Sequence, residues 1–151
     1  MSLQWRIVDE PFTVTLHGVA KPRLGDEPYG DIVMELLGRV WTEVRDQALP
    51  HRGVNHVFYG PDDVVFAGVE LESAQLGDRV ISQLTRRTLT LNEYAYCVHR
   101  GSYAGLGRTY DELCAAVSAS GRECRKPLLE VYGHWNEDES LLETEIYFAL
   151  D

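Results

Sequence analysis

The same order of predicted elements occurs twice in this chain. In the first half, the alternating apolar residues of PFTVTLHG predict a strand, and DIVMELLGRVWTEVRDQAL has apolar residues at helical spacing behind Asp31, a candidate N-cap. The stretches VNHVFYG and VVFAGVEL then predict two strands joined by a turn at residues 61–63. The order of the first half is therefore strand, helix, strand, strand.

The second half repeats this order. TLTLNEYAYCVHRG predicts an opening strand, and RTYDELCAAVSASG predicts a helix with Thr109 and Glu112 spaced as a capping box and Gly121 suited to its end. LLEVYG and LLETEIYFAL predict the closing strands, and aligning VFYG with EVYG puts Val57 opposite Glu130. The simplest architecture is an α+β domain with pseudo-twofold symmetry, in which two β-α-β-β modules form antiparallel sheets with helices on one face.

The repeats also set the predicted organisation of the chain. Residues 10–72 form the first repeat, residues 73–87 the connection and residues 88–150 the second repeat, all within one domain. The connection is polar and shows little periodicity, which is typical of a linker or a flap. A chain of 151 residues with 44% apolar composition can bury a core of its own.

The net charge of −10 narrows the classes of partner. The chain has 14 Lys plus Arg against 24 Asp plus Glu, and such a field repels nucleic-acid phosphates and anionic membranes. It favours cationic small molecules or a basic protein, although a solvated acidic surface kept for solubility is the commoner explanation. The start of the chain has no signal-peptide pattern and no run is long enough to span a membrane, so we expect a cytoplasmic protein.

The cysteines and histidines form no recognisable metal or disulfide motif. Cys97, Cys114 and Cys124 contain no C-x-x-C pair, and the five histidines show neither H-x-x-x-H nor H-E-x-x-H spacing. The stretch GSYAGLGRTY lacks a complete phosphate-binding motif. We therefore expect reduced thiols, no bound metal and no cofactor.

One carboxylate interrupts the apolar strand LLEVYG. Because side chains alternate along a strand, Glu130 and Tyr132 share one face, and the neighbouring residues Leu129 and Val131 share the other, which we assign to the helix-covered core. A buried, unpaired carboxylate costs several kcal/mol or is neutralised, so Glu130 needs partners or a cavity around it. The alternative is that Glu130 faces solvent on an edge strand. In the cavity interpretation, aromatic rings around the carboxylate recognise a lipophilic cation.

Four stretches of the second half resemble the GyrI-like, or AraC-type, effector-binding domains, which also occur at the C-termini of multidrug-responsive transcription regulators. They are H-x-G-x-Y at residues 99–103, T-Y-D-x-L at residues 109–113, E-x-Y at residues 130–132 and T-E-I-Y at residues 144–147. The resemblance covers residues 88–150 well and the first half mainly by the order of its elements. It implies a duplicated strand-helix-strand-strand fold with a ligand pocket between the halves.

The resemblance also implies site residues. In such domains a strand glutamate among aromatic side chains contacts hydrophobic cations, a role that we assign to Glu130, with Glu145 as the second candidate because Glu145 and Tyr147 share a strand face. The expected lining residues are Tyr59, Tyr103, Tyr132, Trp135 and Tyr147. We therefore expect a stand-alone protein that captures hydrophobic, cationic small molecules, and any role in transcription regulation would need a partner that contacts DNA.

Two other functions remain open from the sequence. Some relatives of the family resemble hydrolases of electrophilic small molecules; there Glu130 would activate water, and Tyr132 or Tyr103 would position the leaving oxygen. Binding without turnover is the favoured interpretation. The third possibility is inhibition of an enzyme with a basic groove, such as gyrase, through the acidic turn at residues 137–139.

Overall fold

A computed structural model describes residues 3–72 and 83–151, and within these ranges the chain is an α+β protein with antiparallel strand pairs, as predicted. The strands are β1 Trp5–Val8, β2 Phe12–Pro22, β3 His51–Tyr59, β4 Val64–Leu71, β5 Thr85–Leu91, β6 Tyr94–Arg100, β7 Cys124–Tyr132 and β8 Glu143–Leu150. The helices are α1 Tyr29–Asp46 and α2 Leu106–Ala119, with single 3₁₀ turns at Tyr103–Gly105 and Glu139–Leu141. Neither α1 nor α2 is long and apolar enough to cross a membrane.

The chain divides into two compact units. The N-terminal unit, Thr13–Thr90, contains α1 and the strand order β3-β4-β2-β5. The C-terminal unit, Met1–Phe12 with Leu91–Asp151, contains α2 and the strand order β1-β6-β8-β7. The expected order of strand, helix, strand, strand occurs in each unit as β2-α1-β3-β4 and β6-α2-β7-β8. A symmetry relation between the two halves stays a prediction.

Helix α1 buries one apolar stripe against β3 and β4 in the N-terminal unit. The helix begins after Pro28, so the predicted N-cap at Asp31 is wrong by three positions. Pro28 has the extended backbone typical of an N-cap residue, and Asp31 instead lies in the first turn, where its charge complements the helix dipole. The buried stripe consists of Ile32, Val33, Leu36, Val40 and Val44.

Strands β2 and β4 approach closely where Gly18 and Gly68 are directly paired. A Cβ atom added to Gly18 would lie 2.0 Å from the carbonyl oxygen of Ala67, a distance that no real contact allows. The absence of a side chain at both positions is therefore what permits this pairing.

Helix α2 begins one turn earlier than the predicted capping box. Its N-cap is Gly105, and Thr109 lies within the helix with its hydroxyl bonded to the His99 ring, so the capping role predicted for Thr109 is wrong. The Thr109 hydroxyl donates to the buried imidazole of His99, and no other donor to that ring nitrogen occurs among the described contacts. At the other end, Gly121 has a φ of +93°, which confirms its predicted role after the helix.

Two strands were absent from the sequence prediction. Residues 88–101 were predicted to open the second repeat as one strand, but β5 begins at Thr85, within the predicted connection, and a bend at residues 92–93 separates it from β6. β5 lies beside β2 in the N-terminal unit, where Thr13 bonds Thr90 at 3.1 Å between hydroxyl oxygens. β1 pairs with β6. Of the predicted connection, residues 73–82 lie outside the described part of the chain.

Candidate functional site

Glu130 lies on the face of the sheet that α2 covers. It is directly paired with Ile146 of β8, which in turn is paired with Cys97 of β6, and directly paired residues share a face. Tyr110 of α2 donates a hydrogen bond to Glu130 from above this face. The assignment of Leu129 and Val131 to the helix-covered core is therefore wrong, because alternation puts them on the opposite face.

Two tyrosine hydroxyls make a carboxylate acceptable under the helix. Glu130 is 3% exposed, Tyr132 donates to its Oε1 at 2.6 Å, and Tyr110 donates to its Oε2. Both carboxylate oxygens are thus solvated by phenols, which reduces the cost of burial. We call Glu130 and the aromatic rings around it the Glu130 cluster, and its rings belong to Tyr103, Tyr110, Tyr132 and Phe148.

The rings of the Glu130 cluster contact one another edge to face. Tyr103 and Tyr132 are 5.3 Å apart between ring centroids with planes at 87°, and Tyr110 and Phe148 are 6.1 Å apart at 84°. Tyr103 is 38% exposed, so the cluster reaches the surface at this ring. Burial raises the pKa of Tyr103, which keeps its hydroxyl neutral. The arrangement presents a negative charge behind electron-rich ring faces, which suits a cation with an apolar surface.

A second carboxylate lies on the opposite face of the same strands. Glu145 is directly paired with Val131 and Val98, and it accepts hydrogen bonds from Tyr96 at 2.5 Å and from Tyr147 at 3.2 Å, both at Oε2. Tyr147 in turn is stacked on Phe12 at 4.5 Å between centroids and contacts Tyr94 at 5.4 Å. We call this group the Glu145 cluster; its members are Glu145, Phe12, Tyr94, Tyr96 and Tyr147.

The phenols of the Glu145 cluster are held in their neutral form. Burial raises the pKa of Tyr96, and its hydrogen bond to the Glu145 carboxylate raises that pKa further. Burial also raises the pKa of Tyr147, with the charge of Glu145 as the next cause. Both hydroxyls therefore remain hydrogen-bond donors at any physiological pH.

The predicted site residues do not form one group on a single sheet face. Glu130, Tyr103 and Tyr132 come together, but Glu145 and Tyr147 lie on the other face, because side chains of paired strands alternate. Grouping both carboxylates in one pocket of this sheet is therefore corrected to two separate clusters. Tyr59 lies in the N-terminal unit, where its ring contacts Tyr29 at 5.4 Å.

The remaining predicted residues lie in the loop between β7 and β8. Trp135 is 71% exposed. The acidic turn at residues 137–139 is also exposed, and Asp138 accepts hydrogen bonds from the backbone N–H and the hydroxyl of Ser140 at 3.0 and 2.6 Å. These hydrogen bonds lower the pKa of Asp138. A role of this turn in protein inhibition stays a prediction.

Sequence reasoning missed five aromatic residues of the two clusters. Tyr94 and Tyr96 were recognised only as alternating strand residues, and Tyr110 only as part of a helix motif. The signal for Tyr110 was its adjacency to Thr109 on the buried side of the helix, but its contact with Glu130 depends on how α2 crosses β7. The other two missed residues are Phe12 and Phe148.

His99 is committed to the structure of the unit. It is 7% exposed; its Nε2–H donates to the carbonyl of Ser102 at 2.8 Å, because a carbonyl can only accept, and its Nδ1 accepts the hydroxyl of Thr109 at 2.7 Å. Neither nitrogen is left to bind a metal. In residues 3–72 and 83–151, no three His, Cys, Asp or Glu side chains are grouped closely enough to hold a metal ion.

Solved structures of several bacterial proteins share this fold at low sequence identity. The C-terminal domain of EcmrR is 16% identical, with a TM-score of 0.66, over 100% of this chain and 99% of that one. SAV2435 bound to tetraphenylphosphonium is 14% identical, with a TM-score of 0.60, over 100% of this chain and 94% of that one. A protein from Listeria innocua described as a hydrolase is 11% identical, with a TM-score of 0.60, over 99% and 93% of the two chains.

Comparison with the curated proteins gives no match. The family comparison does: the GyrI-like family, described as the GyrI-like small molecule binding domain, matches residues 62–151. This range holds β4 to β8 and α2, and with them both carboxylate clusters apart from Phe12. The resemblance seen in the sequence is thus confirmed, and the chain belongs to the family of GyrI-like small molecule binding domains.

Proposed function

We propose that this small-molecule binding domain captures hydrophobic cations, with Glu130 as the charge that anchors them. The observation that carries the proposal is a carboxylate 3% exposed among tyrosine rings. In such surroundings the effective dielectric constant is low, so an ion pair with the ligand is worth more than it would be in water. The aromatic rings add apolar contact and cation–π attraction.

The hydrogen bonds of Glu130 also suit a site that must exist with and without its ligand. The phenols of Tyr110 and Tyr132 solvate the carboxylate without neutralising it. An incoming cation therefore meets a carboxylate that neutral hydroxyls help to solvate. SAV2435, solved with tetraphenylphosphonium bound, supports this ligand class by analogy of fold. The protein would act as an effector-binding or drug-sequestering module.

The test is a calorimetric titration with tetraphenylphosphonium of the wild type and of the Glu130→Gln variant. Glutamine keeps the size and the hydrogen-bond acceptor but removes the charge, so we expect affinity to fall by about 1 to 3 kcal/mol, or roughly 5- to 150-fold. The variant should keep its circular dichroism spectrum, because its amide oxygen still accepts a tyrosine hydroxyl.

A matched control separates the local charge from the field of the whole protein. Glu143 lies on β8 with a side chain 54% exposed, paired with Arg100 at 3.3 Å, and Glu143→Gln removes the same formal charge. We expect that variant to bind within about twofold of wild type, since surface charges are screened. Equal losses in both variants, or none in Glu130→Gln, would remove Glu130 from the site.

Hydrolysis of an electrophilic small molecule is a second candidate function. It is favoured by the 2.6 Å contact between Glu130 and the Tyr132 hydroxyl, a base and a proton donor side by side. The shared fold of the Listeria innocua hydrolase adds an analogy. The test is to incubate the purified protein with an epoxide, or with a cyclopropane activated by an adjacent ketone, and to analyse the compound by mass spectrometry. A compound mass increased by one water, which the Glu130→Gln variant no longer produces, would establish turnover.

A further inference from the structure

A cation of the protein itself lies against the Glu145 cluster. Arg6 of β1 is directly paired with Tyr96 of β6, and its guanidinium carbon lies 5.0 Å from the centroid of the Tyr96 ring. At this distance the charge interacts favourably with the ring face. The hydroxyl of the same ring donates to Glu145 at 2.5 Å, so one tyrosine connects a bound cation to a carboxylate.

In the part of the chain that the structure describes, the charge of Glu145 has no direct ionic partner. Among residues 3–72 and 83–151, no Lys, Arg or His nitrogen comes within 4.0 Å of it, Arg6 included. The side chain is half-buried, and its described polar contacts are the two tyrosine hydroxyls. A carboxylate that is partly desolvated and bonded only to neutral donors attracts any cation that can reach it.

Solvent-accessible space leads to Arg6 and Tyr96. A cleft of about 860 Å³ at the edge of the C-terminal unit is bordered by Arg6 and Tyr96. Two more arginines line the cleft, but Arg100 is paired with Glu143 and Arg108 with Glu112, each at 3.3 Å, which compensates their charges.

The accessible part of the cluster limits the size of the ligand. Tyr94 is 7% exposed and Tyr147 is 8% exposed, so these rings form a wall rather than an open surface. Tyr96 and Glu145, by contrast, are half-buried and keep part of their surface accessible. One ring face and one charge fit a small cation whose charge is quaternary or planar and delocalised, rather than a large lipophilic ion.

We propose that Tyr96 and Glu145 form a second cation site, which Arg6 occupies in this structure and which a small quaternary ammonium or guanidinium cation takes when Arg6 swings aside. Arg6 is exposed and has no ion pair among the described residues, so its displacement breaks no salt bridge. The site is independent of Glu130, which lies on the other sheet face.

The experiment uses the Glu130→Gln protein, so that the two sites are read separately. Tetramethylammonium is titrated while the ring protons of Tyr96 are followed by NMR. We expect saturable binding that Glu145→Gln abolishes and that Arg6→Gln strengthens by about two- to fivefold, the scale of an exposed cation–π contact. Tyr96→Phe keeps a ring whose protons still report binding, and it should bind within about threefold. Tyr96→Leu, followed by the ring protons of the neighbouring Tyr147, should not bind.

The outcomes separate this inference from the proposed function. Binding of tetraphenylphosphonium to wild type with no tetramethylammonium binding in either Glu130→Gln or its Arg6→Gln derivative would overturn the second site alone. A different pair of results would uphold the second site and overturn the first: tetramethylammonium binding that depends on Glu145, and a tetraphenylphosphonium affinity that Glu130→Gln does not change. Affinity unchanged by Arg6→Gln would show that Arg6 does not compete, which also contradicts the proposal.

Discussion

Replacement of Thr109 by valine should loosen α2 from the sheet of the C-terminal unit. Valine has nearly the shape of threonine but no hydroxyl, so the change leaves packing volume almost constant and deletes one hydrogen bond. That bond joins the Thr109 hydroxyl to Nδ1 of His99 at 2.7 Å, in a pair of residues that are 9% and 7% exposed. His99 cannot turn to find another donor, since its Nε2–H is used by the carbonyl of Ser102.

The expected loss of unfolding free energy follows from the unpaired Nδ1 atom of His99 that the substitution leaves in the protein. A buried nitrogen without a partner costs about 1 to 3 kcal/mol, because it has lost water and gained nothing in return. With a urea slope of about 2 kcal/mol per M, the unfolding midpoint should fall by about 0.5 to 1.5 M. Thr109→Ser keeps the hydroxyl and loses a methyl group, which removes about 1 kcal/mol of apolar burial.

Urea unfolding followed by circular dichroism compares the two variants directly. The Thr109→Val protein should be the less stable, although valine is the more apolar residue. If Thr109→Val instead matches wild type, or is more stable than Thr109→Ser, the His99 hydrogen bond contributes nothing and the account of α2 docking is refuted. A small loss is also expected in cation affinity, since Tyr110 is the next residue in the helix and bonds Glu130.

Two further predictions concern other parts of the chain. Gly18→Ala should destabilise the N-terminal unit by about 3 kcal/mol or more, because its Cβ would lie 2.0 Å from a backbone oxygen. Gly38→Ala in α1 has open space around the new methyl group and should stabilise the protein by up to about 1 kcal/mol. Thermal unfolding compares the two variants, and equal effects of the two changes would contradict the structure. Tyr96 and Tyr147 have a raised pKa through burial and Glu145, so their contribution to stability is complete below about pH 10 and is lost as the pH rises beyond it. An ultraviolet titration should show these two phenols ionising after the rest, and ionisation of all eight tyrosines together near pH 10 in folded protein would exclude the shift.

Hydrophobic periodicity was sufficient to predict most of the elements. The period of α1, α2 and the central strands gave their type and approximate position, because each buries one face along its whole length. β1 was missed because it is only four residues long, WRIV, with both of its middle residues exposed. β5 was merged with β6 because the two-residue bend between them contains neither glycine nor proline.

The site was harder to predict, for a physical reason. Alternation determines which residues share a face with Glu130, but not which face the helix covers. The apolar neighbours Leu129 and Val131 were the natural choice for the covered face, and only hydroxyls from Tyr110 and Tyr132 make the reverse arrangement affordable. Hydrogen bonds between residues distant in sequence, such as Tyr110 to Glu130, have no periodic signature.

The placement of two carboxylates on opposite faces of paired strands also bears on how β7 and β8 find each other. If β8 slipped by one residue, Glu145 rather than Ile146 would be paired with Glu130, and both charges would lie under α2 about 5 Å apart. At an effective dielectric constant of about 20, their repulsion would be about 3 kcal/mol. The two carboxylates therefore destabilise the pairing of β7 and β8 that is shifted by one residue. Neutralising either carboxylate should raise the population of that shifted pairing during folding, even where no ligand is present.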